Sequence, residues 1–423
     1  MTELKNWAGN YFYQAPQFHK PTTAEQIQEL ISKSSKVKAL GTRHSFNEIA
    51  DTVGDLISTE HLNQILGLDP DSLTVSMQGG VRYGELCKFL QERGFALHNL
   101  ASLPHISVAG ACATGTHGSG IGIGNLSTAV RALTMVQADG ELVRLSRDAD
   151  PERFAGAAVN LGAFGLITEI TLDVEPTYEM EQQVFEGLSF SSVRSDFEAI
   201  EASGYSVSLF TDWRSDRFNQ VWVKRRIEPG GNPPLPNPFF GARAAGRKMH
   251  PIGELPAVNC TEQLGVSGPW FERLPHFRLD FTPSSGTELQ TEFFVSRSNA
   301  VEALGAVASL ADRIAPLLQI CEVRTIGADE LWLSPAYRRD SLSIHFTWKQ
   351  EWPAVEELLP TIESALAGLD ARPHWAKLFT MGYERLSELY VKLPDFQRLA
   401  AEFDPTGKFR NRYLDSKLFA KNS

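Results

Sequence analysis

Between Ala101 and Gly124 the chain turns abruptly to Gly, Ala, Ser, Thr and His, with Gly110, Gly115, Gly118, Gly120, Gly122 and Gly124 as its framework. A stretch so rich in small residues supplies little core of its own. Its bare backbone can instead lie against a ligand, where N–H groups approach an anion without many positive charges. The string Gly118–Gly124 repeats every second residue and does not match G-x-G-x-x-G, and no G-x-x-x-x-G-K-[ST] occurs. Ordinary dinucleotide-fold and P-loop sites are therefore disfavoured. A second turn, Gly41-Thr42-Arg43-His44-Ser45, follows the short apolar run Val37–Leu40. Either turn alone is as compatible with a tight connection as with a site. Together they fit a long dinucleotide, whose pyrophosphate and ring system must be held from two segments.

The pattern around these turns alternates helix and strand. Thr22 and Thr23 followed by Glu25 and Gln26 predict a capped helix from Ala24 to Ser34, with Ile27, Leu30 and Ile31 on one face. A strand Leu73–Met77 precedes Gly79-Gly80 and a helix that ends at Gly94. A hairpin is expected from Val130–Val136 and Glu141–Leu145 about Asp139-Gly140, then a helix near Phe154–Asn160 and a strand Ile167–Val174. Beyond Glu175 the texture becomes strands at Ser206–Phe210, Gln220–Lys224, Thr291–Ser296, Gln319–Thr325 and Ser341–Trp348. These predict one large antiparallel sheet with helices on one face, Ala300–Ile314 among them. Pro229–Gly241 reads as a long loop.

With 423 residues the chain has room for two to four domains. Its net charge of −11 is the wrong sign for a protein that tracks a phosphate backbone, so no nucleic-acid partner is expected. The short basic runs Lys224-Arg225-Arg226 and Arg247-Lys248 read as solvated strand ends or loop charges. Met1-Thr2-Glu3-Leu4-Lys5 has no secretory-signal pattern and no run approaches membrane-spanning length, so a cytoplasmic, membrane-free monomer is expected. Cys87, Cys112, Cys260 and Cys321 are scattered without C-x-x-C, and no metal is expected.

The G-x-x-H-S turn, the S-V-A-G…T-G-T-H-G segment (Ser107–Gly118) and the ending Asp404-Pro405…Phe409-Arg410-Asn411-Arg412-Tyr413-Leu414 resemble the vanillyl-alcohol oxidase type of FAD enzymes. Within that group Ala101-Ser102-Leu103-Pro104-His105, Glu322-Val323-Arg324, His345-Phe346-Thr347 and His374-Trp375-Ala376-Lys377 resemble the alditol (xylitol) oxidases. The resemblance implies a two-domain α+β fold: an FAD-binding domain at 1–175, an antiparallel-sheet cap domain for substrate at 176–375, and a segment, 376–423, that returns to the first domain. It implies FAD bonded covalently through His44 and held by Ala39, Leu40, Gly41, Thr42, Arg43, Ser45, Ser102, Ser107, Gly110, Ala111, Cys112, Ala113, Ile167 and His374. An isolated turn histidine would more simply be satisfied by local backbone.

The implied reaction is oxidation of a primary alcohol of an acyclic polyol to the aldose, with O2 reduced to H2O2. Ser102, Glu322, Arg324, His345, Thr347 and Lys377 are the implied catalytic residues, with Lys377, His345 or water taking the proton. Glu322 with Arg324, and His345 with Thr347, are spaced i, i+2 and so share a strand face. For an isolated E-x-R the plainer reading is an exposed ion pair. Lys377, three residues after His374, would share its face on a helix. Alternatives are an aldonolactone oxidase or dehydrogenase and a non-catalytic carbohydrate-binding protein.

Overall fold

The computed structural model describes residues 4–279 and 287–419. Met1-Thr2-Glu3, read above for a leader, and the last four positions of the returning tail lie outside the described residues. Thr23 caps the helix Ala24–Lys33 by accepting from the Gln26 amide, while Gln26 Oε1 accepts from the Thr22 amide at 2.8 Å. The reciprocal bonds of a capping box are thus split over two threonines. Ile27 and Ile31 are buried against Val37 and Ile57.

Val37–Leu40 runs parallel to Asp55–Ser58, which also pairs with Gln17–His19. A second, five-stranded antiparallel sheet has the order Ile65–Asp69, Thr74–Gln78, Leu166–Asp173, Val130–Val136, Leu142–Ser146. The helix expected at Phe154–Asn160 begins earlier, at Pro151, because a proline fits a helix's first turn, where its missing N–H is no loss. The tail folds back here. The Val37 amide donates to the Lys408 carbonyl, Lys408 Nζ donates to the Ile31 and Ala138 carbonyls, and Phe409 is buried in the same apolar cluster.

Residues 179–373 form a nine-stranded sheet, antiparallel throughout. Its centre runs Arg217–Arg226, Ser206–Thr211, Leu318–Ile326, Ser341–Trp348, Leu289–Ser296. Glu179–Ser189, which lacks a strong β-branched run, is a long strand that the sequence did not announce. The expected helix Ala300–Ile314 is two, Ala300–Ala308 and Ala311–Ile314. Ser309 Oγ takes the Ala306 carbonyl at 2.7 Å and the Leu310 amide bonds to Val307, which tightens and ends the first helix. Among the described residues no helix is long and apolar enough to cross a membrane.

The small-residue segment is mostly buried rather than merely a surface loop, and it contains a short helix, Val108–Ala113. Its glycines let backbones meet. Gly120 N–H donates to the Thr325 carbonyl and Gly327 N–H to the Ile123 carbonyl, both at 2.8 Å, so the string lies along the end of the Leu318–Ile326 strand. A Cβ on Gly118 would sit 2.4 Å from the Leu100 carbonyl oxygen. Gly118→Ala is therefore expected to destabilise the fold by about 1–3 kcal/mol, the usual cost of overpacking, read as a lowered unfolding midpoint. A midpoint equal to that of the parent would count against the close-approach role.

Candidate active site

A cavity of about 290 Å³ lies between the two glycine-bearing turns and the central strands of the large sheet. Ala39, Leu40, Gly41, Thr42, Arg43, His44, Ser45, Ser102, Ser107, Gly110, Ala111, Ala113 and Ile167 line it from one side, and Glu322, Arg324, His345, Thr347, His374 and Lys377 from the other. Cys112 is the exception among the candidates. Val108 and Cys112, four apart on the short helix, turn to the core, where the Cys112 thiol meets the Tyr83 hydroxyl and the Leu126 carbonyl.

The two turns touch. The Ser107 amide donates to Thr42 Oγ1 at 3.1 Å, and a Cβ on Gly41 would lie 2.6 Å from Ser107 Oγ and would have to displace that hydroxyl. Arg43 is left-handed, with φ of 63°, a strained conformation held by the Trp7 amide donating to its carbonyl. Trp7 also stacks on His44 with ring centroids 5.4 Å apart. Phe46 N–H donates to the Ala376 carbonyl and Asn47 Nδ2 to the Trp375 and Lys377 carbonyls, which fastens the turn to the segment carrying His374. Both His44 ring nitrogens are buried without a protein partner, and burial first, then the Lys377 charge, lowers its pKa to about 3. A neutral imidazole with two unsatisfied nitrogens facing this cavity fits a bound or bonded group, and the surrounding turns fit FAD.

The opposite wall is a polar floor built by strand register. Glu322 stands opposite His345, and His345 in turn opposite Glu292; Gln290 stands opposite Thr347. Glu322 and Arg324 are each only 6 % exposed, so an exposed surface pair is excluded. Arg324 Nη2 donates to Glu292 Oε1 at 2.7 Å and its Nε lies 3.7 Å from Glu322 Oε2. His117 Nε2 reaches Glu292 Oε1 at 3.0 Å, and His276 Nε2 reaches Glu322 Oε1 at 2.7 Å. Burial alone would raise both carboxyls. Arg324 with His117 outweighs it at Glu292, and Arg324 with His276 at Glu322, so both are held well below the ordinary carboxylate range. Ligand-type atoms of His117, Glu292 and His374 come within 4.8 Å of one another, but Glu292 Oε1 already accepts from Arg324.

Gln290 joins the proton-handling candidates. Its Oε1 accepts from Lys377 Nζ and from His345 Nε2 at 3.1 Å, and its Nε2 donates to Glu288 Oε1 at 2.5 Å. This fixes the His345 tautomer: Nε2 carries the proton, and Nδ1 keeps a lone pair with no protein partner. Burial lowers His345 to about 3 and Lys377 to about 8. Lys377 is not on a helix with His374. The segment is a turn in which the Lys377 amide donates to the His374 carbonyl, because Asn47 draws the following backbone toward the first sheet. Glu288, Gln290 and Glu292 escaped the sequence reading, which began that strand at Thr291, although their i, i+2 spacing was the available signal. His117 lay inside a quoted motif without a role. Lys38, whose Nζ donates to the Leu161 and Gly162 carbonyls, and His276 carried no local signal at all.

Residues 15–146 match the FAD binding domain family and residues 287–417 the D-arabinono-1,4-lactone oxidase family. The chain is 48% identical over 420 residues to the alditol oxidase of Streptomyces sp. (strain IKD472 / FERM P-14339), covering 99% of each. It is 24% identical over 441 residues to the L-gulonolactone oxidase of Mus musculus, covering 99% of this chain and 98% of the other. In fold it resembles the crystal structure of cholesterol oxidase from B. sterolicum, with a TM-score of 0.79 at 17% identity over 98% of this chain and 96% of that one.

Proposed function

The chain belongs to the alditol oxidase family of FAD-dependent flavoproteins, and from that premise we propose how its cavity oxidises an acyclic polyol. The observation that carries the reading is the buried floor: Glu322, Arg324, His345 and Thr347 on adjacent strands, facing the turn that holds His44. Each hydroxyl of a polyol stripped of water needs a donor or acceptor, and a row of both on a fixed sheet supplies them. Glu322 Oε2 accepts from one hydroxyl, and Arg324 donates to its neighbour. Thr347 and Ser102 orient the end that reacts.

A primary alcohol RCH2OH becomes RCHO by losing a hydride from carbon and a proton from oxygen. Bound FAD would supply the hydride acceptor, and O2, with two protons, would take up both electrons as H2O2. The His44 turn, Ser107, Gly110, Ala111, Ala113, Ile167 and His374 line the cavity and would hold the bound cofactor, with His44 Nδ1 or Nε2 available for covalent attachment. Of the candidates for the proton, Lys377 is brought by burial to about 8 and takes it in its neutral form, whereas His345, held at about 3, uses its Nδ1 lone pair to accept a hydrogen bond that orients the reacting hydroxyl. We assign 1–175 and 376–423 to the cofactor domain and 176–375 to the cap. The Lys408 bonds support this grouping.

The test is anaerobic bleaching of the yellow protein by xylitol or sorbitol, followed by peroxide release on admitting air. Bleaching by aldonolactones alone would favour the lactone reading that the match at residues 287–417 raises. Failure of either to bleach would leave a binding protein. Ser102→Ala is expected to slow flavin reduction about tenfold or more in stopped flow, since misplacing the reacting carbon is costly, and to leave reoxidation unchanged. An effect confined to reoxidation would remove Ser102 from the substrate side.

A further inference from the structure

Lys224 does not line the cavity, and its neighbours Arg225 and Arg226 made it read as a solvated charge. In the structure it is 1 % exposed. It sits on the strand Arg217–Arg226, two strands from Glu322. Its Nζ has three acceptors around it: the Leu274 carbonyl at 2.5 Å, the Pro275 carbonyl at 3.2 Å and His276 Nδ1 at 3.1 Å. Only an ammonium, with three N–H donors, satisfies all three. His276 Nδ1 then accepts, so the ring's proton is on Nε2, which points at Glu322 Oε1 2.7 Å away. His276 is neutral in this arrangement, its pKa lowered to about 4 by burial and by the Lys224 charge. Phe210 and Trp222 pack edge-on against the ring.

We propose that Lys224 is a positioning residue for polyol binding, which acts through His276 to lock one oxygen of Glu322 and leave the other free to accept a substrate hydroxyl. Without the ammonium, the imidazole can move its proton to Nδ1 and bond the Leu274 or Pro275 carbonyl. Its Nε2 lone pair then faces the Glu322 carboxylate, which turns away. The charged and titratable groups that face this relay are Arg324 on the strand of Glu322, His345 on the strand opposite, and Cys260 beside Lys224. The inference rests on the role given to Glu322 under the proposed function.

The experiment measures kcat and KM for xylitol on flavin-loaded Lys224→Met and Glu322→Gln at pH 6 and pH 9. Burial lowers Lys224 to about 7, so the wild-type relay is charged at pH 6 and discharged at pH 9. The expected result for Lys224→Met is a KM raised about tenfold at pH 6 with kcat within about twofold, and a defect that shrinks at pH 9 as the wild type loses the same charge. An unchanged KM at pH 6, or an equal defect at both pH values, overturns the relay. If Glu322→Gln binds xylitol normally, the floor itself is misread. If it is impaired while Lys224→Met is normal, only the relay fails. Should Lys224→Met not fold, His276 decides. Gln at 276 retains an acceptor for Lys224 and a donor for Glu322, so His276→Gln is expected to keep a near-normal KM and His276→Leu to lose it; equal KM values overturn the proposal.

Discussion

Arg324→Ala is expected to lower the specificity constant for sugar alcohols by about ten- to a hundredfold, the cost of a charge-assisted hydrogen bond. It is also expected to destabilise the fold by about 3–5 kcal/mol at neutral pH, because Glu292 and Glu322 would remain buried without the guanidinium between them. The stability loss carries a pH signature. In the parent both carboxyls titrate below their ordinary value of 4.5, so their stabilisation is present above that value and is lost only as pH falls through the depressed ones. In the variant burial dominates and the folded-state values rise above 4.5. The folded state then binds more protons than the unfolded one, and the variant gains stability as pH falls. The gap between the two midpoints should be widest at about pH 7–8 and narrow toward about pH 5. A gap that ignores pH would reduce Arg324 to a packing role.

His44→Ala is expected to release all the flavin into the supernatant on acid precipitation, whereas the parent pellet stays yellow. The reasoning starts from two ring nitrogens buried without a partner, an arrangement that costs free energy unless something outside the chain satisfies it. Flavin that is washed from the wild type by acid would make His44 a contact rather than a tether.

How much was legible depended on whether a signal was local. Period and turn chemistry placed the strands Val37–Leu40, Val130–Val136 and Ser341–Trp348 to within a residue, because side-chain alternation and Asp139-Gly140 are properties of neighbours in sequence. The face shared by Glu322 and Arg324 followed from the same periodicity. What meets that face did not, since His276 and Glu292 reach Glu322 and Arg324 from other segments of the chain. Lys224 shows the limit most sharply. Beside Arg225 and Arg226 it has the local pattern of a solvated run, and only strand order brings it behind His276. Trp352–Leu366 was a different kind of omission. Proline in its first turn and Val355, Leu358, Leu359 and Ile362 at helical spacing were present and unread.

The glycine string that lies along the Leu318–Ile326 strand bears on how substrate gets in. Two backbone bonds, Gly120 to Thr325 and Gly327 to Ile123, tie the wall carrying the turns to the strand carrying Glu322 and Arg324. With a Cβ built on Gly327, the Gly122 backbone would be 2.9 Å away, so the two chains are already as close as they can come. Such a seam resists hinging. Opening the two halves like jaws would break both bonds and expose tightly apposed backbone. Elsewhere the lining is less constrained: His250, Pro251, Ile252 and Phe277 line the same cavity from irregular chain rather than from strands. The strands carrying Glu322 and Arg324 are thus fastened across the seam, whereas part of the cavity lining is not, so a change in the irregular segments can alter the cavity without disturbing the register of the floor.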